Sequence, residues 1–180
     1  MSSALNITGL LPRLTLILGG ARSGKSRHAE DLIQASGLSP YYIATAEALD
    51  GEMTDRIAKH RERRGAVWQT IEEPLALAET VSQVAAEGRA LLVDCLTLWL
   101  TNLMVHERDI EAEIDGLLDL LVELDGSTVI VSNEVGLGVM PTNKMARRFI
   151  DHAGWLHQRL AAQADCVLFM TAGLPQQLKP

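Results

Sequence analysis

From Leu14 to the C-terminus, short apolar runs alternate with longer stretches whose apolar positions recur every three or four residues. Leu14–Leu18 is continuous, Leu-rich and β-branched and stops at glycines, which is the pattern of a buried strand. A helix is predicted from Lys25 to about Ala35, stopped near Gly37 and Pro40. Tyr41–Thr45 reads as a second strand, Glu52 to about Arg64 as a strongly charged helix, and Val67–Ile71 as a short strand. Pro74–Ala86 has helical periodicity with proline in its first turn, where a missing N–H costs little. Arg89–Asp94 is another buried strand, followed by helices over roughly Leu96–His106 and Asp109–Leu124. Strand Thr128–Ser132, a long helix from about Thr142 to Ala164 and strand Cys166–Thr171 complete the series. Near-continuous apolar strands separated by helices predict an α/β fold, a mostly parallel sheet with helices on both faces. Residues 1–12 read as an extension ahead of a single domain spanning 13–180.

Composition narrows the function classes. The 180 residues are 47% hydrophobic and 22% charged, as in an ordinary globular protein. A formal charge of −7 argues against broad nucleic-acid binding, because a polyanion needs a basic face. Phosphate recognition should therefore be local. Cys95 and Cys166 each sit in an apolar run and read as buried free thiols of a reducing, cytoplasmic compartment. No apolar stretch reaches the ~20 residues of a membrane span, and no secretory signal is evident.

Gly19-Gly20-Ala21-Arg22-Ser23-Gly24-Lys25-Ser26 meets the pattern G-x-x-x-x-G-K-[ST] between a predicted strand and a predicted helix. That context supplies the mechanism. The glycines let consecutive N–H groups curl toward phosphate oxygens, and the helix adds its positive N-terminal end. Lys25 should reach the β- and γ-phosphates of a nucleoside triphosphate, and the Ser26 hydroxyl should ligate Mg²⁺. Asp94, closing an apolar strand, fits the Mg²⁺-side carboxylate. Its alternatives are a simple helix cap or replacement in that role by Glu134.

The segment Glu52–Arg64 carries five Lys or Arg among thirteen positions of an acidic chain. A solvated helix laced by pairs such as Glu52–Arg56 explains this. A second reading is chemical: His60 shares a helical face with Arg56 and Arg63 or Arg64. Nearby cations favour the neutral, nucleophilic imidazole, which could attack an α-phosphate.

Beyond these patterns, the ordered segments resemble one family over Leu14–Lys179. The P-loop is followed by Arg27-His28-Ala29-Glu30. Tyr42-Ile43-Ala44-Thr45-Ala46, Glu52-Met53, Arg56-Ile57, His60-Arg61, Trp68 and Glu72 come next. Val93-Asp94-Cys95-Leu96-Thr97, Asn102 and Val131-Ser132-Asn133-Glu134-Val135-Gly136 continue the match, which ends on Ala172-Gly173-Leu174-Pro175. Together they are similar to the bifunctional adenosylcobinamide kinase / adenosylcobinamide-phosphate guanylyltransferase family of cobalamin biosynthesis. The resemblance implies phosphorylation of adenosylcobinamide by ATP or GTP. Transfer of GMP from GTP to adenosylcobinamide phosphate would follow, through a guanylylated histidine matched by His60. It also implies that Ala44, Thr45 and Ala46 line the nucleotide pocket and that Arg61, Glu62, Arg63 and Arg64 lie against GMP and phosphates. Glu72 and Asp94 would contact nucleotide or metal. A homo-oligomer, with a trimer as its suggested form, is implied as well.

Two positions depart from the family pattern: Gly65 replaces proline after the arginine run, and His157 replaces asparagine before Gln158. Neither removes a residue the implied mechanism needs. The alternatives to the bifunctional enzyme are a one-activity small-molecule kinase and a nucleotide-dependent regulatory module. His28 and His106 read as packing or surface residues, and Trp99 and Trp155 as core or interface anchors.

Overall fold

A computed structural model of the chain describes residues 11–47 and 66–180. Its elements are β1 (Leu14–Gly19), α1 (Lys25–Ser36), β2 (Ser39–Ala44), β3 (Gln69–Glu72), α2 (Leu77–Val84) and β4 (Arg89–Asp94). After these come α3 (Leu96–Val105), α4 (Ile110–Glu123), β5 (Ser127–Val131), α5 (Lys144–Gln163), β6 (Cys166–Thr171) and β7 (Leu174–Lys179). The strands form one seven-stranded sheet in the order β3-β2-β4-β5-β1-β6-β7. Every pairing is parallel except β6 with β7.

Strand pleating sends alternate residues to two cores. Leu14, Leu16 and Leu18 of β1 face the side packed by α2, α3, α4 and α5, with Trp99, Leu117 and Leu156 in that layer. Ile17 faces the other side with Leu92, Val131 and Leu168, where Ala29 and Ile33 of α1 cover it. Both faces of the central strands are thus apolar, which is why they read as continuous runs. Among the described residues no helix is long and apolar enough to cross a membrane.

Helix ends follow local chemistry. Asp109 caps α4 by accepting from Ala112 N at 3.2 Å, and Asn143 caps α5 by accepting from Ala146 N at 3.1 Å. The helix expected from Pro74 begins only at Leu77, because the Glu73 carboxylate first takes the amides of Leu75 (2.8 Å) and Ala76 (2.7 Å). The strand expected at Val67–Ile71 lies instead at Gln69–Glu72. Trp68 is buried ahead of it, edge-on to Tyr42 with ring centroids 6.3 Å apart. Leu11, assigned above to the extension, is buried in the α1-side core, and its carbonyl accepts from Ser127 Oγ at 3.1 Å.

β7 is the element the apolar pattern did not announce. Its residues, Leu-Pro-Gln-Gln-Leu-Lys, are mostly exposed on an edge where proline is tolerated. A two-residue turn, Ala172 (φ 51) and Gly173 (φ 81), folds it back on β6. Two consecutive positive φ values are what a tight hairpin of this hand requires.

Candidate functional site

Parallel pairing brings the carboxyl ends of the central strands to one edge. The register aligns Glu72 with Ala44, Ala44 with Asp94, Asp94 with Val131 and Val131 with Ile17. The chain leaves β1 for β2, beyond β4 and β5, and later returns to fill the gap and the far side. In open α/β sheets ligands bind outside the carboxyl ends of the strands, where the strand order reverses. The loop 19–26 leaves β1 there, and Asp94 stands two strands away, about 10 Å at the usual strand spacing.

The loop adopts a compact, glycine-dependent path. Gly19 (φ 149), Arg22 (φ 56) and Gly24 (φ 98) have positive φ, and Ser23 N donates to Gly20 O at 3.3 Å. Lys25 opens α1 and is buried, and its Nζ donates to Gly20 O at 2.6 Å. Burial pulls the Lys25 ammonium below its ordinary value, while Cys95 and Asp94 act in the opposite sense. Lys25 therefore senses the end of β4 electrostatically. The Ala172–Gly173 turn supports the loop from behind: Gly173 N donates to Ser23 O at 2.9 Å. A Cβ on Gly24 would come within 3.2 Å of Gly173 Cα. The apolar pattern does not predict this segment; the Ala-Gly pair after an apolar strand is its one local signal.

Beyond β4, Tyr42 Oη donates to Asp94 Oδ2 at 3.0 Å. The contact of Tyr42 with Asp94 arises from their places on adjacent strands and has no signal in the local sequence. Thr45 is buried and turned inward. Its Oγ1 donates to Cys95 O at 2.7 Å and accepts from Cys95 N at 2.8 Å. Ala44 belongs to the α1-side core, and Ala46 is half-buried at the edge. Asn102 Nδ2 donates to Thr45 O (2.7 Å) and Pro74 O (3.1 Å), tying together the loops after β2 and β3. Glu72 is exposed at the end of β3, the edge strand farthest from the loop on that side. His60, Arg61, Glu62, Arg63 and Arg64 lie outside the described residues.

The chain after β5 returns to the loop. Ser132 N donates to Ile17 O at 3.0 Å and Glu134 N to Gly19 O at 2.9 Å. Behind them His157, buried on α5, has Nε2 2.7 Å from Ser132 Oγ and Nδ1 3.9 Å from Glu134 Oε2. Burial lowers the His157 pKa, and Glu134 partly offsets this. Both cysteines are free and buried, as expected, and burial pushes the Cys95 thiol up to about 11. Trp99 is in the core with Nε1 donating to Leu75 O at 2.9 Å, whereas Trp155 is exposed. His106 lies on the surface against the Glu47 carboxylate, 3.2 Å away, and His28 is half-buried on α1.

A strand–loop–helix phosphate cradle on a mostly parallel, doubly covered sheet defines a P-loop NTPase fold. Solved structures share it: the flagellar accessory protein FlaH of Methanocaldococcus jannaschii superposes with a TM-score of 0.54 at 13% identity, over 94% of this chain and 80% of that one. The PH0250 protein of Pyrococcus horikoshii gives 0.53 at 12%, over 95% and 88%. A family model for cobinamide kinase / cobinamide phosphate guanyltransferase matches residues 15–178, and the chain belongs to that family of bifunctional transferases of cobalamin biosynthesis. It is 58% identical over 166 residues to the bifunctional adenosylcobalamin biosynthesis protein CobP of Pseudomonas aeruginosa, covering 91% of this chain and 96% of that protein. The Salmonella typhimurium protein CobU, with the same description, is 40% identical over 183 residues, covering 92% and 99%.

Proposed function

We propose that both transfers use one triphosphate grip, loop 19–26, and that GMP travels on His60. The observation that carries this reading is the convergence of loop 19–26, Lys25 and Asp94 on one sheet edge. Thr45 and Trp68, which flank the segment bearing His60, are rooted in the same part of the sheet. In the first reaction the aminopropanol hydroxyl of adenosylcobinamide attacks the γ-phosphorus of ATP or GTP. The bond to the β–γ bridging oxygen breaks, and Lys25 offsets the charge that develops there.

In the second reaction a His60 ring nitrogen attacks the α-phosphorus of GTP, and pyrophosphate leaves. A phosphate oxygen of adenosylcobinamide phosphate then displaces the histidine, giving adenosyl-GDP-cobinamide. Ser26 and Asp94 offer the hydroxyl and carboxylate oxygens that Mg²⁺ prefers. The bound ion would neutralise charge on the phosphates. Arg61 to Arg64, Glu72 and the Ala44–Ala46 backbone are assigned to the nucleotide. Exposed Leu137, Val139, Met140, Met145 and Trp155 support self-association of this cytoplasmic enzyme, a trimer being the proposed form.

The test is a product assay. Adenosylcobinamide incubated with the protein, ATP and GTP should give cobinamide phosphate and then GDP-cobinamide by mass spectrometry. Lys25→Ala should lose both products together. Guanylyl transfer persisting in Lys25→Ala would overturn the shared grip.

A further inference from the structure

The two acceptors of this enzyme differ in one respect that the structure can answer. A phosphate monoester is already anionic at neutral pH, its second pKa being about 6. An alcohol keeps its proton, which must leave as the hydroxyl attacks. The kinase step therefore needs a proton acceptor that the guanylyl transfer does not.

We propose that Glu134 is the catalytic base of the kinase step, held in place by Gly136, with the ring of His157 behind it. This rests on the two-reaction reading above. Glu134 follows β5, the strand inserted between the one that carries the phosphate loop and the one that ends at Asp94. Its amide donates to Gly19 O at 2.9 Å, which fixes its backbone against the first residue of the loop. The side chain is 21% exposed, so ligand can reach it, yet it is not loose. Oε1 accepts from Gly136 N, and a Cβ at Gly136 would approach that oxygen to 3.0 Å. Oε2 lies 3.9 Å from His157 Nδ1, beyond a hydrogen bond. The far nitrogen of His157 is 2.7 Å from buried Ser132 Oγ, which anchors the ring.

A carboxylate pinned through one oxygen and backed by a buried imidazole is pre-organised at the P-loop's root. Asp94 differs, because it receives the Tyr42 hydroxyl. In the step, the acceptor oxygen bonds to the γ-phosphorus, the bond to the nucleoside diphosphate breaks, and the hydroxyl proton moves to Glu134 Oε2. It is released to water after product leaves.

The half-reactions test this separately. With adenosylcobinamide and ATP, Glu134→Gln should lower kcat by about 10²–10³-fold. With GTP and preformed adenosylcobinamide phosphate, the loss should stay within about fivefold, and GTP affinity should be retained. Glutamine can still accept from Gly136 N. Glu134→Asp, which retracts the carboxylate by one methylene, should also slow the kinase step more than guanylyl transfer. Equal losses in both half-reactions, in either variant, would overturn the assignment. Wild-type protein lacking one half-reaction would instead refute the two-reaction reading.

Discussion

Gly19→Ala probes the join between β1 and the phosphate loop. Gly19 has φ 149, a conformation that L side chains rarely adopt. A Cβ there would lie 2.5 Å from Met170 O, which is backbone, and 2.8 Å from Ser23 Oγ. A residue forced into such a region costs about 1–3 kcal/mol. Intrusion into a packed site costs about 1–3 kcal/mol more. The sum, about 2–6 kcal/mol, is a large part of the ~5–15 kcal/mol that holds an ordinary domain together. For a chain of this size it predicts a Tm lower by roughly 4–24 °C. Thermal unfolding followed by circular dichroism measures it. Gly20→Ala is the control one residue along: its Cβ would meet nothing within 4 Å, so stability should stay within about 1 kcal/mol. A Gly19→Ala melt within a degree of wild type, or an equal fall in Gly20→Ala, would refute the strain argument.

Asn102→Ala removes the buried amide that serves Thr45 O and Pro74 O and should cost about 2–4 kcal/mol in urea unfolding. An unchanged midpoint would mean the clamp contributes nothing. The lowered pKa of His157 makes a signed prediction. Between the unfolded value near 6.5 and the lower folded value, the unfolded chain binds more protons, so this contribution is intact above 6.5 and declines as pH falls. Stability of wild type should therefore drop more steeply below pH 6.5 than that of His157→Gln; parallel pH curves would exclude His157 as the cause.

How much of this was legible in the sequence depends on what each element is made of. β1, β4, β5 and β6 are buried on both faces and therefore read as apolar runs, and Arg89–Asp94 and Cys166–Thr171 match to the residue. β7 did not, because an exposed edge strand needs backbone partners more than apolar side chains. The motif located the loop, but the Gly173 amide on Ser23 O is a tertiary contact, and the Ala-Gly pair marks only the turn and not its partner. Likewise, Tyr42–Asp94 and Ser132–His157–Glu134 join residues that only the strand order and the return of α5 bring together. Thr45 carries a finer lesson: it lies at the expected strand end, yet its hydroxyl is spent on Cys95.

The covalent route through His60 is the claim on which the two-reaction account depends most. Wild-type protein incubated with α-³²P-labelled GTP, then denatured and freed of nucleotide, should retain label on a peptide containing His60, and His60→Ala should retain none. Absence of label on wild type while GDP-cobinamide is still formed, or label undiminished in His60→Ala, would contradict it.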